Sequence, residues 1–259
     1  MDFIPKILYH DKDILLCRKP HWIASSWGQE ASFLDSIKRV DSDFPSSCWT
    51  GFSISEIPDQ VRNDTWQHQI STFGEEWEYG LLNRLDNVTA GLLYFARSYE
   101  AKEQYIHLQE QWLITKTYYA KIYGAPRAQF GWITTPIYHH RDDVSRMTTD
   151  PERWRWKPQE VVTYWEVVEG RHPEELEGFH YNRWDVSTSL RYAQHDALLK
   201  IQITSGCRHQ IRCHLASIGY PIVWDRLYMT TWLKKQYPEF DEKRIELVSA
   251  GLEIKNFRL

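Results

Sequence analysis

The segment from residue 81 to residue 96 constrains the fold more than any other part of the chain. Its sequence, LLNRLDNVTAGLLYFA, places an acid and a turn between two apolar runs, and the second run, Leu92 to Ala96, is typical of a buried strand. Asp86 lies where the runs meet. Because a carboxylate between buried segments is costly to desolvate, it needs a cation or several amide donors nearby. Asp86 is therefore either a residue that caps the turn through Asn87 and Thr89 or a catalytic acid.

A second segment, residues 198 to 221, combines a strand pattern with a short helical pattern. Its sequence is LLKIQITSGCRHQIRCHLASIGYP. The residues before Gly206 predict a strand that ends in a glycine turn. Gly219 and Pro221 predict the end of the helix that follows.

Together, the two segments resemble those of the RluA-type pseudouridine synthases. The signatures of that family are HRLD-x-x-T-[SA]-GLL and TGR-x-HQ-[IL]-R-x-H. This chain has NRLD and TAGLL between residues 83 and 93, and SG, HQIR and His214 between residues 205 and 214. Further blocks recur in family order: Ile7 to Asp11, Lys19 with Pro20, Lys116 to Ala120, Gly219 to Val223 with Asp225 and Tyr228, and a weaker match from Ile245 to Ile254.

The resemblance implies an α+β fold with a mixed, largely antiparallel bent sheet, flanking helices and a central cleft for RNA. No stretch resembles a flexible linker, so residues 1 to 259 are expected to form a single catalytic domain. Because the signature begins at Ile7, we expect no separate N-terminal RNA-binding domain. Substrate selection should then depend on the catalytic domain and its loops.

Three residues match catalytic positions of the family. Asp86 matches the catalytic aspartate, which either attacks the anomeric carbon of the sugar or removes the neighbouring ring proton; the sequence leaves both roles open. Tyr118 matches the active-site tyrosine, which lies against the target base, and a buried core tyrosine is the alternative. Arg212 matches the arginine of the second signature. Since a buried carboxylate needs a fixed cation, we predict that Arg212 and Asp86 form a buried ion pair.

The resemblance also suggests residues that bind the substrate. These are Arg84, Lys116, Arg208, His209 and Gln210. The reaction of the family is an isomerisation without net redox change, so no metal or organic cofactor is expected.

Three positions depart from the family pattern. Asn83 replaces the usual histidine before the Arg-Leu-Asp triplet, Cys207 replaces an arginine, and Arg208 replaces a small hydroxyl residue. We expect these changes to affect the RNA-facing surroundings of the site, and thus the identity of the substrate more than the type of reaction.

A metal site is the competing interpretation of the second segment, because Cys207, His209, Cys213 and His214 lie within eight residues. On a helix, His209 and Cys213 could share a face. Zinc sites favour paired short spacings, which are absent here. We therefore expect no metal, and interpret His209 as a polar residue of the cleft or of the helix packing.

Hydrophobic periodicity predicts the other elements. Strands are expected at residues 14–17, 115–123, 161–169 and 190–204, and helices at 31–40 and 99–112. Between residues 41 and 79 the periodicity is lost, which indicates a substrate-specific insertion or a tolerated surface loop. Residues 141 to 157 mix arginine with tryptophan. This composition suits phosphate contacts and base stacking, but equally a solvated loop with two tryptophans folded back on the core.

The composition restricts the partners of the chain. A net charge of −4 argues against binding nucleic acid by bulk electrostatics, so an RNA site must be a local basic cleft. The chain has neither the apolar start of a signal peptide nor the roughly 18 apolar residues of a membrane helix. Its four cysteines form neither a disulfide framework nor a CxxC pair. We expect a cytoplasmic monomer with no membrane contact and no obligate protein partner.

The function predicted from these observations is that of an RNA pseudouridine synthase acting on a uridine of an rRNA or tRNA stem-loop. The alternative is a non-catalytic RNA-binding or RNA-chaperone protein on the same fold, which the replacements at Asn83 and Cys207 favour.

Overall fold

The computed structural model describes residues 6–21, 23, 25, 80–168, 196–238 and 244–255. The chain divides into two compact units, residues 1–111 and 112–259. The single catalytic domain expected over residues 1 to 259 stays a prediction. The helix predicted at 31–40 and the aperiodic segment at 41–79 lie outside the described residues.

The first unit contains three strands and one helix among its described residues. These are β1, Lys6–His10, β2, Ile14–Lys19, β3, Ala90–Ala96, and α1, Tyr99–Glu110. The strands pair antiparallel in the order β1-β2-β3, and α1 contacts β3. Alternate residues of β2 and β3 are enclosed, including Leu15, Cys17, Leu93 and Phe95. The predicted buried strand after Asp86 is confirmed.

Helix α1 begins where the sequence predicts and ends two residues early. The Ser98 hydroxyl caps its first turn by accepting a hydrogen bond from the Ala101 N–H (3.2 Å). Tyr105 is buried as expected. Trp112 lies beyond the helix in the left-handed region (φ 59°) and is 56% exposed, so its predicted place on the helix is wrong.

The second unit contains eight described strands. They are β4, Ile114–Ile122, β5, Phe130–Ile133, β6, Ile137–His140, β7, Met147–Thr148, β8, Trp154–Gln159, β9, Thr163–Val167, β10, Ala197–Ile203, and β11, Leu247–Ile254. Five of them form a sheet in the order β11-β4-β10-β9-β5. Each pairing among these five is antiparallel. The α+β fold is confirmed, as are the strand predicted at 115–123 and the described parts of the strands predicted at 161–169 and 190–204.

Two helices follow β10 in the second unit. They are α2, Gln210–Ser217, and α3, Thr231–Gln236. Helix α2 is short, yet all of residues 210–215 are buried. Gly219 follows it with φ 89°, a conformation that glycine adopts without strain. The predicted strand, turn and helix are therefore confirmed. Among the described residues, no helix is long and apolar enough to span a bilayer.

The remaining strands form a small antiparallel sheet in the order β7-β6-β8. Its apolar side belongs to a buried cluster to which α2 contributes, comprising Ile137, Met147, Val161, Cys213 and Tyr228. The alternative interpretation of residues 141–157 as a loop with two buried tryptophans is wrong. Trp154 and Trp156 lie on β8 and are 50% and 60% exposed.

We predict that Gly80→Ala destabilises the first unit by about 2 to 3 kcal/mol. Gly80 has φ 74°, and a Cβ there would overlap the carbonyl oxygen of Ala96, whose N–H donates to the Gly80 carbonyl (2.7 Å). Urea unfolding measures the loss. Gly251→Ala is the matched control, because a Cβ at Gly251 meets nothing within 4 Å. Equal effects of the two substitutions would contradict the prediction.

Candidate active site

The loop that carries Asp86 is fastened to residues that follow β2. The Ser25 hydroxyl donates to the Leu85 carbonyl (2.9 Å) and accepts from the Leu85 N–H (3.1 Å). His21 Nδ1 lies 2.8 Å from the carbonyl oxygen of Val88. Asp86, between these two attachments, is half-buried. The backbone on both sides of the carboxylate is thus held in place by side chains distant in sequence.

Lys19, the last residue of β2, is also attached to this loop. Its side chain is fully buried, and its Nζ donates to the carbonyls of Pro20 (3.0 Å), Asn87 (3.1 Å) and Thr89 (2.7 Å). Three acceptors use all three N–H groups of an ammonium. Burial lowers the pKa of Lys19 to about 7, and the charge of Asp86 opposes this fall. The turn itself is closed by a bond from the Thr89 N–H to the Asp86 carbonyl (2.9 Å).

Asn83 has a structural place in this loop. Its side chain donates to the Leu92 carbonyl (3.1 Å) and accepts from the Tyr94 N–H (2.8 Å), so it bonds to β3 as a neighbouring strand would. Asn83 is 6% exposed, and the expectation that it belongs to the RNA-facing surroundings is wrong. Its neighbour Arg84 is exposed, and the substrate role of Arg84 stays a prediction.

In the second unit, Lys116 and Tyr118 lie two residues apart on β4 and therefore share a face. They are 8% and 7% exposed. The β4–β10 register pairs Lys116 with Ile203, the last residue of β10, so Lys116 lies where the following turn begins. Its Nζ is 3.6 Å from the position that a Cβ on Gly206 would occupy. Burial lowers the pKa of Lys116 to about 8.

Gln210 ties this turn to β9. Its Nε2 donates to the Val162 carbonyl (3.0 Å) and to the Thr163 hydroxyl (3.1 Å), and its Oε1 accepts from the Cys207 N–H (3.3 Å). Gln210 is 2% exposed. The structure therefore gives Gln210 a positioning role, and its predicted contact with substrate stays a prediction.

Arg208 and His209 lie on the same turn but point to different partners. Arg208 is exposed, and its guanidinium donates to the carbonyls of Val144 (3.0 Å) and Ser145 (3.2 Å). His209, the N-cap residue of α2, has a left-handed backbone (φ 54°), and its Nδ1 lies 3.0 Å from the Tyr228 hydroxyl. The two side chains join the turn to other parts of the second unit.

Arg212 forms a buried bidentate ion pair with Asp225. Nε and Nη2 donate to the two carboxylate oxygens at 2.7 and 2.8 Å, and the two residues are 5% and 1% exposed. The sequence predicted Asp86 as the partner of Arg212. Asp86 and Arg212 lie in different units, and their pairing stays a prediction.

Tyr228 connects this ion pair to the small sheet. Its ring lies beneath the guanidinium groups of Arg212 (5.3 Å) and Arg146 (5.5 Å), and its hydroxyl accepts from the Met147 N–H (2.9 Å). Burial raises the pKa of Tyr228, so the phenol stays protonated and can donate to His209.

Three residues that hold parts of the site in place, Lys19, Asp225 and Tyr228, were not predicted as such from the sequence. All three occur in blocks that recur in family order, which was the available signal. The order of blocks gives no contact, however, and each of these side chains acts on a residue far away in the chain or across a turn.

The four residues that suggested a metal have other surroundings. Cys213 belongs to the buried cluster, and burial raises the pKa of its thiol to about 12. His214 is enclosed between the Thr163 hydroxyl (2.8 Å from Nδ1) and the Thr135 carbonyl (2.9 Å from Nε2). In the described part of the chain, no group of three or more His, Cys, Asp or Glu residues could hold a metal ion.

The predicted site residues thus fall into two groups. Asp86 and Arg84 lie on one loop of the first unit, and the rest of the set lies in the second unit, on β4 or on the turn and helix that follow β10: Lys116, Tyr118, Arg208, His209, Gln210 and Arg212.

The family model described as RNA pseudouridylate synthase matches residues 13–217 of the chain. Among solved structures, the chain is similar to human RNA pseudouridylate synthase domain containing 1, with a TM-score of 0.63 and 16% identity over 96% of this chain and 78% of that one. It is also similar to human RNA pseudouridylate synthase domain containing 4, with a TM-score of 0.56 and 18% identity over 95% of this chain and 82% of that one. At these identities the structures establish the fold alone.

Curated relatives carry the same family name. An uncharacterized RNA pseudouridine synthase of Aquifex aeolicus is 28% identical over 86% of this chain and 55% of its own length. The tRNA pseudouridine synthase C of Pectobacterium carotovorum is 24% identical over 85% of this chain and 47% of its own length. The ribosomal large subunit pseudouridine synthase D of Blochmanniella floridana is 25% identical over 64% of this chain and 42% of its own length. The chain spans about half the length of these relatives.

We predict that Lys19→Met loosens the Asp86 loop. The substitution removes the hydrogen-bond donor of three carbonyls, of which that of Thr89 is buried. A buried carbonyl left without a donor costs about 1 to 3 kcal/mol. Hydrogen exchange of the Thr89 amide should become at least tenfold faster. Lys12→Met, whose side chain is 90% exposed, serves as the control. Unchanged exchange in the Lys19 variant would show that Lys19 does not hold the loop.

We predict that Arg212→Ala lowers the free energy of unfolding by about 3 to 5 kcal/mol, because it leaves the Asp225 carboxylate buried without a partner. Arg212→Lys should lose less, since it keeps the charge but not the planar fork. In an Asp225→Ala background, Arg212→Ala should cost much less. Additive losses in this double-mutant cycle would mean that the pair contributes no coupling energy.

Proposed function

The chain belongs to the RNA pseudouridylate synthase family, and we propose that it isomerises a uridine of a structured RNA to pseudouridine. The family model covers most of the chain, and Asp86 lies within the matched residues. The single observation that carries the proposal is the rigid attachment of the Asp86 loop through Lys19, His21 and Ser25. A loop held in this way presents a carboxylate in one position, which is what catalysis by a positioned group requires.

The reaction breaks the bond between C1′ of the ribose and N1 of uracil, and forms a bond between C1′ and C5. The proton on C5 is lost and N1 gains one, so atoms and charge balance without a cofactor. In this proposal Asp86 either attacks C1′ or removes the neighbouring sugar proton. Both roles need an ionised carboxylate.

The second unit is proposed to hold the extruded base. In this proposal the extruded uracil, which has lost its stacking neighbours in the RNA, stacks against the aromatic ring of Tyr118. Lys116 and Arg208 supply positive charge, and Arg212 is proposed to orient Asp86. His209 and Gln210 then act mainly by shaping the turn that begins α2, because their contacts are to Tyr228, β9 and the turn itself.

The substrate is proposed to be a stem-loop of rRNA or tRNA. Support comes from two relatives, one of which is named for the large ribosomal subunit and the other for tRNA. A monomer in the cytoplasm, without an obligate protein partner, is part of the same proposal.

Asp86→Asn is expected to lower the rate of pseudouridine formation by at least about 100-fold, because it keeps the size of the side chain and removes the ionised oxygen. RNA tritiated at uridine C5, prepared from cells that lack the gene, reports turnover by tritium release. Folding and RNA binding should be unchanged. Asp13→Asn is the control, since the Asp13 side chain is 49% exposed on a turn of the same unit.

Retention of activity within a few-fold of the wild type would remove Asp86 from the catalytic role. Wild-type protein that binds RNA but releases no tritium from rRNA or tRNA would favour the alternative, a non-catalytic RNA-binding protein.

A further inference from the structure

The small sheet carries a surface that the proposed catalytic role does not use. On β8, Trp154 and Trp156 are 50% and 60% exposed. Large aromatic side chains at this exposure do not contribute to the core of the second unit. Their presence on one short strand, WRWKPQ, which contains no acid, calls for a different explanation.

Trp156 is held in a conformation that a bulky residue rarely adopts. Its φ is 67°, in the left-handed region. The residue lies in an irregular part of the β6–β8 ladder, where Ile137 pairs with Gln159 but His139 pairs with Arg155. Four residues of β8 therefore span the same distance as two residues of β6, and the excess forms a bulge. A strained backbone around an exposed side chain is typical of a functional position.

Two polar side chains flank the exposed indole. The Arg155 guanidinium lies 4.5 Å from the Trp156 ring centroid, and the His139 ring packs edge-on against it at 4.9 Å. Trp156 remains 60% exposed despite both contacts. The arrangement fixes the ring from the side of the protein and leaves much of its surface to solvent.

The charges of this surface are arranged for an anionic partner. Arg141 and Arg153 form ion pairs with Asp142 and Asp150 at the turns beside the strands. Among the described residues, Arg155 forms no ion pair with a carboxylate. Burial and the positive charges of Arg208 and Arg155 lower the pKa of His139, which indicates a positive potential at the centre of the sheet.

We propose that this surface, formed by His139, Arg155, Trp156 and Lys157 and here called the Trp156 platform, binds a single-stranded stretch of the RNA substrate. A base stacks on Trp156, and Arg155 and Lys157 contact the phosphates on either side. Stacked aromatic rings beside cations are the usual means of holding unpaired nucleotides. The proposal rests on the proposed function for its choice of RNA, and it assigns the platform to nucleotides that flank the reacting uridine.

The test measures binding of a uridine-rich single-stranded RNA by fluorescence anisotropy. Trp156→Ala is expected to weaken binding at least fivefold, in line with the loss of one stacked base, while Trp156→Phe retains most of the affinity. Trp132→Ala is the matched control: Trp132 is 62% exposed on β5, packs against Tyr164, and lies outside the platform. Its substitution should change the affinity less than twofold.

Two further variants separate stacking from charge and from folding. Arg155→Ala should reduce the slope of log affinity against log salt by about 0.7, the value for one phosphate contact of a single strand. Trp156→Gly should weaken RNA binding as Trp156→Ala does, yet keep or raise the melting temperature, because glycine relieves the left-handed strain. A lower affinity with an intact fold is a result that a purely structural tryptophan would not give.

The platform and the proposed function can fail separately. If Trp156→Ala weakens RNA binding but the wild type converts no uridine, the platform stands and the catalytic proposal fails. If the wild type is active, the platform predicts a higher KM with an unchanged kcat for Trp156→Ala. The proposal that the platform binds RNA would be overturned if both the Trp156 and the Arg155 variants kept the RNA affinity and the salt slope of the wild type. This holds even if the surface binds an acidic protein instead.

Discussion

The second unit depends on the buried ion pair between Arg212 and Asp225. Both charges are almost completely removed from water, and the two short bonds at 2.7 and 2.8 Å compensate for that transfer. The pair joins helix α2 to the turn that follows it, and the same turn carries Tyr228. Through its ring and hydroxyl, Tyr228 then reaches Met147 on the small sheet and His209 at the start of α2. One charged contact thereby positions the helix, the turn and the Trp156 platform together.

In the first unit, the buried cationic side chain is a lysine rather than an arginine. Lys19 is fully buried, and its ammonium is satisfied by three backbone carbonyls, two of them in the turn after Asp86. A compact ammonium with three donors suits a turn of the backbone, whereas a planar guanidinium suits a carboxylate. Asp86 opposes the fall in the pKa of Lys19, so the buried cation and the proposed catalytic anion are electrostatically linked.

Departures from the family pattern have different meanings at different positions. Asn83 stands where histidine is usual, yet its amide forms both a donor and an acceptor bond to β3 and leaves the loop intact. Arg208, by contrast, is exposed and extends to the carbonyls of residues 144 and 145, next to the small sheet. The replacement at Asn83 is compatible with the fold of the loop, and the replacement at Arg208 adds positive charge beside the platform. The departure at Asn83 therefore favours the non-catalytic alternative less than the sequence suggested, and the departure at Arg208 is compatible with the proposed RNA-binding platform.

The sequence by itself determined the strands around Asp86 and Tyr118, the strand, turn and helix that end in α2, and the family, because hydrophobic periodicity and the order of motifs are local properties of the chain. It did not determine which carboxylate Arg212 would meet, since Asp225 and Asp86 are both acids near apolar segments and only the turn at residues 222–229 brings Asp225 within reach. Nor did it determine that Trp156 would be exposed. Tryptophan side chains are usually largely buried in folded proteins. Trp156 is exposed because of the bulge in β8, and this bulge depends on how β8 pairs with β6, which the local sequence does not show.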